Sequence, residues 1–310
     1  MQWRILVPLG VFVAISAGGV ERPSINGFVI DDPLVPAEQL HHGGPPRDGI
    51  PSIDSPRFVA ADAADFLLPK DRVLGIEYRG IAKAYPIHIL NRHEIVNDKF
   101  HDHPLVVTWC PLCGSGAAFD GQLNGERLEF GVSGLLYNSD VLLYDRQTES
   151  LWSQIMLRAI NGPLKGESLA LLPMQHTSWQ NWRENHPDTL VLSTDTGFPG
   201  IDYRFNPYAG YGSTNKIYFP VASRDKRLPS KEWVLGVFAG SEQKAYPLRR
   251  LEQRTSPMRD MIGTQSVLIE FDPAHQTAAV YDHENRPLQS IQLYWFAWTA
   301  FYPDTQLFDE

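Results

Sequence analysis

The sequence predicts an α+β, strand-rich protein built from two diverged internal repeats packed together. Three observations predict it. Residues 73–119 match 234–280 without a gap at a shift of 161 positions (73 to 234): VLG (73–75) falls on VLG (234–236), KAYP (83–86) on KAYP (244–247), Leu90 on Leu251, Val106 on Val267 and Ala117-Ala118 on Ala278-Ala279. The match resumes at a shift of 116 (179 to 295), where Trp179, Trp182 and Pro187-Asp188-Thr189 fall on Trp295, Trp298 and Pro303-Asp304-Thr305. The apolar runs are short, β-branched and punctuated by Gly, Pro, Asn and Asp, as strands joined by turns are, and each copy closes on a Trp-containing helical stretch. The 45-residue difference between the two shifts is an insertion in the first copy, between about residues 120 and 176.

The elements follow in chain order. Residues 1–19 carry one basic residue, Arg4, then an apolar run from Ile5 to about Ala17 and the small residues Ser16 to Gly19, the form of a secretory signal peptide. The run is shorter than the about 20 residues of a membrane span, and an uncleaved N-terminal anchor is the alternative. Residues 20–70 are a Pro/Gly-rich arm, extended over HHGGPPRDGIPSIDSP. Residues 71–194 are the first repeat. In it VLGIEYRG (73–80) and KAYPIHIL (83–90) read as strands around a turn, and HPLVVTW (103–109) is the clearest strand of the chain. LEFGVSG (128–134) and DVLLYD (140–145) read as further strands, and SWQNWREN (178–185) as a short helix. Residues 195–230 connect the copies; the segment is long for a linker and reads as an ordered loop. Residues 231–310 are the second, degenerate repeat.

Composition narrows the function. An apolar fraction of 43% with 20% charged residues belongs to a folded protein, and a net charge of −9 without a Lys/Arg cluster excludes nucleic acid as a partner. There is no P-loop, no G-x-S-x-G elbow and no HExxH, so no nucleotide cofactor is expected and no catalytic residue is assigned.

The chemistry sits in VVTWCPLCGSGAAF (106–119), which holds both cysteines of the chain, Cys110 and Cys113. Pro111 cannot donate to a ladder, so the pair lies at a strand end. In the second copy Cys110 becomes Phe271, Cys113 becomes Ala274, His93 becomes Arg254 and Glu94 becomes Thr255: the framework repeats and the reactive residues do not. Three readings compete. Two thiolates with an imidazole suit copper or zinc, and Cys110, Cys113, His93 and Glu94 are the candidate ligands. A Cys-Pro-x-Cys motif also suits a thiol-disulfide oxidoreductase. A ligand- or partner-binding module with a structural disulfide is the third, although so short a loop is a weak staple. Around the ligands, His88, Asn97, Asp98, Asp145, Arg146, Trp152 and Gln154 are candidates to orient a ligand or to bind substrate, Arg146 through a bidentate pair with a carboxylate. His101 and His103 flank a turn and are expected to face solvent. His176 has no supporting context.

The stretches GGPPRDGIPSID, KAYPIHILNRHEIVND, VTWCPLCGSGAAFD, FGVSGLLYNSDVLLYDRQTESLWSQ and HPDTLVLSTDTGF together resemble a bacterial family known as domain of unknown function 3179. The departures are Trp109 for the usual Tyr, Ser115 for a frequent Thr, and Gly121 where Arg usually follows FD. The resemblance implies an extracytoplasmic or membrane-associated bacterial protein and brings no activity. The expectation is therefore a periplasmic or secreted protein whose Cys/His site binds copper, or next zinc, with a metal ion or small molecule as its partner.

Overall fold

The computed structural model describes residues 23–309, so the signal-peptide reading lies outside the described residues. Within them, the α+β expectation is corrected. The described residues are 41% strand and 11% helix, and their five main sheets are arranged as the blades of a five-bladed β-propeller. The longest helices, Trp179–Asn185 and Trp295–Phe301, are seven residues each and sit at strand ends, so no helical layer exists to pack on a sheet. Among the described residues no helix is long and apolar enough to cross a membrane.

The repeat maps onto the blades. Blade 1 orders its strands Gln175–Ser178, Arg72–Tyr78, Ile81–Pro86, Leu190–Leu192, Phe58–Ala60; blade 4 orders Ser290–Tyr294, Trp233–Ala239, Glu242–Pro247, Gln306–Leu307. Their central hairpins share one register, Val73 opposite Pro86 and Val234 opposite Pro247. Blade 2 (Leu171–Leu172, Ser115–Asp120, His103–Cys110, Ile95–Phe100) corresponds in the same way to blade 5 (Thr277–Tyr281, Gln265–Asp272, Met258–Ile262). Each copy thus supplies two blades, and the inserted segment supplies the remaining one. Blade 3 is Arg158–Asn161, Leu151–Ser153, Asp140–Asp145, Phe130–Tyr137, Leu40–His42. The N-terminal arm is consumed as edge strands: Leu40–His42 completes blade 3 and Phe58–Ala60 completes blade 1.

Local chemistry explains why the matching residues match. Gly75 is bare because Trp182 lies flat on its strand; a Cβ there would stand 2.2 Å from the indole. Gly236 and Trp298 repeat the arrangement at 2.4 Å. Each indole N–H then donates 2.9 Å to a threonine of the Pro-Asp-Thr turn, Trp182 to Thr189 and Trp298 to Thr305. In KAYP, Lys and Tyr are two residues apart and so share a strand face. Lys83 and Tyr85 reach Asp98 of blade 2 at 2.7 and 2.6 Å, while Lys244 and Tyr246 reach Asp260 of blade 5 at 2.6 and 2.8 Å. The repeated words are therefore the clamps between neighbouring blades.

Candidate metal centre

The CxxC segment closes the hairpin between His103–Cys110 and Ser115–Asp120, with Cys110 paired to Ser115. Gly114 turns the chain with a φ of 65°, and a Cβ there would meet the Trp233 ring at 2.7 Å, so glycine is required twice over. The Tyr294 N–H of blade 4 donates to the Cys113 carbonyl at 2.9 Å and pins the loop. Gln154 of the inserted segment braces it from the other side: its amide donates 2.8 Å to Thr108, and it accepts from the Ser115 hydroxyl at 2.5 Å. Both cysteines are free thiols, 1% and 0% exposed.

The tip of blade 3 arrives over this loop. Asn138 and Ser139 have φ values of 51° and 64°, the pair of left-handed residues that a tight hairpin turn of the inverted type needs. Asn138 is tied to the Ala300 carbonyl (3.1 Å) and the Ala222 N–H (2.7 Å), and the Ser139 hydroxyl donates to the Phe219 carbonyl (2.8 Å). The turn therefore holds two groups against the sulfurs. One is the Ser139 carbonyl, which accepts from both thiols, at 3.7 Å from Cys110 and 3.4 Å from Cys113. The other is Asp140, 0% exposed. One carboxylate oxygen of Asp140 and the two sulfurs all lie within 4.8 Å of one another. Asp140 Oδ2 accepts from the Ile155 N–H (3.1 Å) and the Ser153 hydroxyl (3.3 Å); Oδ1 is buried with no partner.

Glu94 completes the neighbourhood. It is buried at a left-handed φ of 59°, and it lines a cavity of about 160 Å³ together with Leu112, Val141 and Tyr208. Burial raises its carboxyl to about 8, with the Asp140 charge adding to it, and burial raises Asp140 to about 7. Burial first, then Cys110 and Asp140, pushes the Cys113 thiol well above its ordinary value. Burial also raises Tyr208 and Tyr211, and the charges of Glu94 and Cys110 add to the first and those of both cysteines to the second. Among the described residues no Lys, Arg or His side chain is paired with Glu94, Cys110, Cys113 or Asp140. Four buried acidic groups without a side-chain cation among the described residues form an arrangement that a bound divalent ion could neutralise.

The chain matches the family described as Protein of unknown function (DUF3179) over residues 47–305. It belongs to this family. No curated protein and no solved structure matches it significantly.

The other residues of this DUF3179 chain singled out by sequence take structural positions. His93 is not in the three-residue group. It is fully buried, and its ring nitrogens are engaged by the Pro51 carbonyl and the Tyr203 hydroxyl, each at 2.7 Å. Asn97 bridges blades 2 and 3 by exchanging hydrogen bonds with the Phe130 backbone at 2.8 and 2.9 Å. Asp98 is the clamp partner of Lys83. Asp145 accepts from the Trp152 indole N–H at 2.9 Å and from Thr148, and stays within blade 3. Arg146 donates through one guanidinium nitrogen to Ser52 at 2.9 Å and to Asp54 at 3.2 Å, an internal ion pair. His88 packs its ring on Phe66, and burial lowers its pKa. His103 is not solvent-facing but lies 3.0 Å from Asp120. The residue that sequence reading passed over is Asp140. It stood in plain view at the start of DVLLYD, and the signal was its place beside Asn-Ser, a turn pair, inside the segment found only in the copy that keeps the cysteines.

Proposed function

We propose that this protein is an extracytoplasmic metal-site protein in which Cys110, Cys113 and Asp140 hold one transition-metal ion. The single observation that carries the reading is the buried, unpartnered Oδ1 of Asp140 in a residue grouped within 4.8 Å of two free thiol sulfurs. Two thiolates and a carboxylate form a mixed soft and hard donor set. That favours zinc over copper(I), for which sulfur alone is the better match, and it reverses the order expected when an imidazole stood in the carboxylate's place. Three protein ligands leave a fourth position, the count typical of zinc sites that accept water or a small molecule. Glu94, whose carboxyl is raised by burial and by the Asp140 charge, would be the group to hold a proton near it. When bound, the ion would supply Lewis-acid polarisation of whatever occupies that position. The thiol-redox reading is less favoured: Cys110 and Cys113 are 1% and 0% exposed, out of reach of the second thiol that exchange requires.

Equilibrium dialysis of the purified, metal-stripped protein against zinc tests the reading. One ion per chain is expected, with affinity lowered at least about 100-fold in Cys110→Ser and Asp140→Asn. Zinc uptake that neither substitution changes would refute it. Export is tested separately by fractionating cells that express the full chain; accumulation in the cytoplasm would count against the extracytoplasmic assignment.

A further inference from the structure

A second cavity, of about 280 Å³, lies where the two repeats face each other. Three pairs of its lining residues are repeat equivalents: Arg72 with Trp233, Ile87 with Leu248, and His176 with Gln292. Two of these pairs differ in chemistry: the second copy replaces Arg72 with an indole and the His176 imidazole with the Gln292 amide. The cavity is thus lopsided where the fold is symmetric, and the differences are the ones that would make a binding site.

Its walls are aromatic and aliphatic. The His176 ring stands edge-on between Trp109 and Trp233, at centroid distances of 5.6 and 5.4 Å, and Tyr294 packs on Trp233 at 4.4 Å. Into this apolar enclosure come a guanidinium without a carboxylate and two polar side chains that each keep one unpartnered atom. Arg72 is a half-buried cation with no carboxylate: it donates only to the backbone carbonyls of His176 (2.6 Å), Gln276 (3.1 Å) and His275. His176 is 6% exposed, and its buried Nδ1 has no partner. Gln292 is 8% exposed; its Nε2 donates 3.3 Å to the Gln276 carbonyl, while its buried Oε1 accepts from nothing. A buried polar atom without a partner is costly, and two on side chains that line one cavity, beside a guanidinium without a carboxylate, are what a ligand would satisfy. Burial lowers the Arg72 pKa to about 10 and keeps His176 neutral, so among the described residues the guanidinium is the one charge on the cavity wall.

We propose that this cavity is a binding site for a small hydrophobic carboxylate bearing a neighbouring hydroxyl or amino group. The carboxylate meets the Arg72 guanidinium, the donor group of the ligand meets Gln292 Oε1, and the apolar body lies among Trp109, Trp233 and Leu248. His176 Nδ1 takes whichever hydrogen-bonding role its tautomer leaves open. The site does not rest on the metal reading, since none of its groups belongs to the Cys110, Cys113 and Asp140 set.

The test is calorimetry and tryptophan fluorescence on the full mature chain, with 3-phenyllactate as probe and two controls: 3-phenyllactamide, which lacks the charge, and 3-phenylpropionate, which lacks the hydroxyl. Phenyllactate should bind saturably and perturb the emission of Trp109 and Trp233. The amide and Arg72→Gln should each lose about tenfold or more in affinity. Arg72 also ties three carbonyls, so Arg72→Gln can fail to fold; Gln292→Leu then decides. It should weaken phenyllactate and leave phenylpropionate unchanged. No saturable binding of phenyllactate up to about 10 mM would overturn the proposal, and so would equal affinity for the acid and the amide.

Discussion

At the scale of residues, the centre is defined by what is missing from it. Asp140, Glu94 and Cys113 are all held toward their protonated forms by burial, and among the described residues no side-chain cation answers them. This fixes a pH dependence. The folded carboxyls sit at about 7 and about 8, above their ordinary 3.8 and 4.5. Between those limits the metal-free folded chain keeps protons that the unfolded chain has released, so its stability falls as pH rises and the loss is complete above about 8. The size is on the order of a few kcal/mol for each carboxyl. Thermal melts of stripped protein from pH 5 to 8 should show that decline, and Asp140→Asn should flatten it. With zinc the sign reverses, because the ion takes the deprotonated ligands and releases protons, so affinity rises with pH. A metal-free protein whose stability climbs over that range would contradict this account of the two carboxyls.

The same residues show how much of the site was legible in sequence. The CxxC pair was visible because its own diverged copy, Phe271 and Ala274, marks it as dispensable to the fold. His93 was a reasonable third ligand by chain proximity, but its ring is claimed by Pro51 and Tyr203, which are 42 and 110 residues away. Asp140 reaches the sulfurs only because a hairpin tip is tied down by residues 219–222 and Ala300. Nothing local in DVLLYD reports that closure.

At the scale of elements, repetition in sequence reflects a repeated contact. Trp182 lies on Gly75 as Trp298 lies on Gly236, so the identical tripeptides VLG mark where an indole replaces a side chain. Gly75→Ala forces a methyl group into the Trp182 ring and should cost about 1–3 kcal/mol, with Gly236→Ala costing about the same. Denaturant unfolding of both variants measures this; a neutral Gly75→Ala would mean that the indole is free to move. The third blade was not legible as a unit, although two of its strands, over 128–134 and 140–145, were read, and the reason is the complementary one. It has no copy to align with, and its outer edge is Leu40–His42, contributed from about 90 residues upstream of the strand it pairs with.

At the scale of the whole molecule, five blades form where two repeats were expected because the insertion is itself a sheet. Two copies of two blades with one unmatched blade between them give an asymmetric propeller, and the candidate metal centre lies at the asymmetry. Cys110 and Cys113 come from blade 2 and Asp140 from blade 3, with blade 4 holding the loop through Tyr294. An ion there would cross-link neighbouring blades. Chelation should therefore lower the melting temperature of the entire chain, by up to about 4 kcal/mol of stability when zinc had been present at 1,000 times its Kd. It should also speed amide exchange at the 137–140 hairpin tip more than in blade 5. Loss of zinc with no change in melting or exchange would place the ion elsewhere.

The most direct test of the central claim is zinc-edge X-ray absorption on the loaded protein. The account predicts two sulfur neighbours at about 2.3 Å and oxygen neighbours at about 2.0–2.2 Å, with one sulfur lost in Cys113→Ser and the remaining shell retained. A shell of nitrogen and oxygen without sulfur would contradict it.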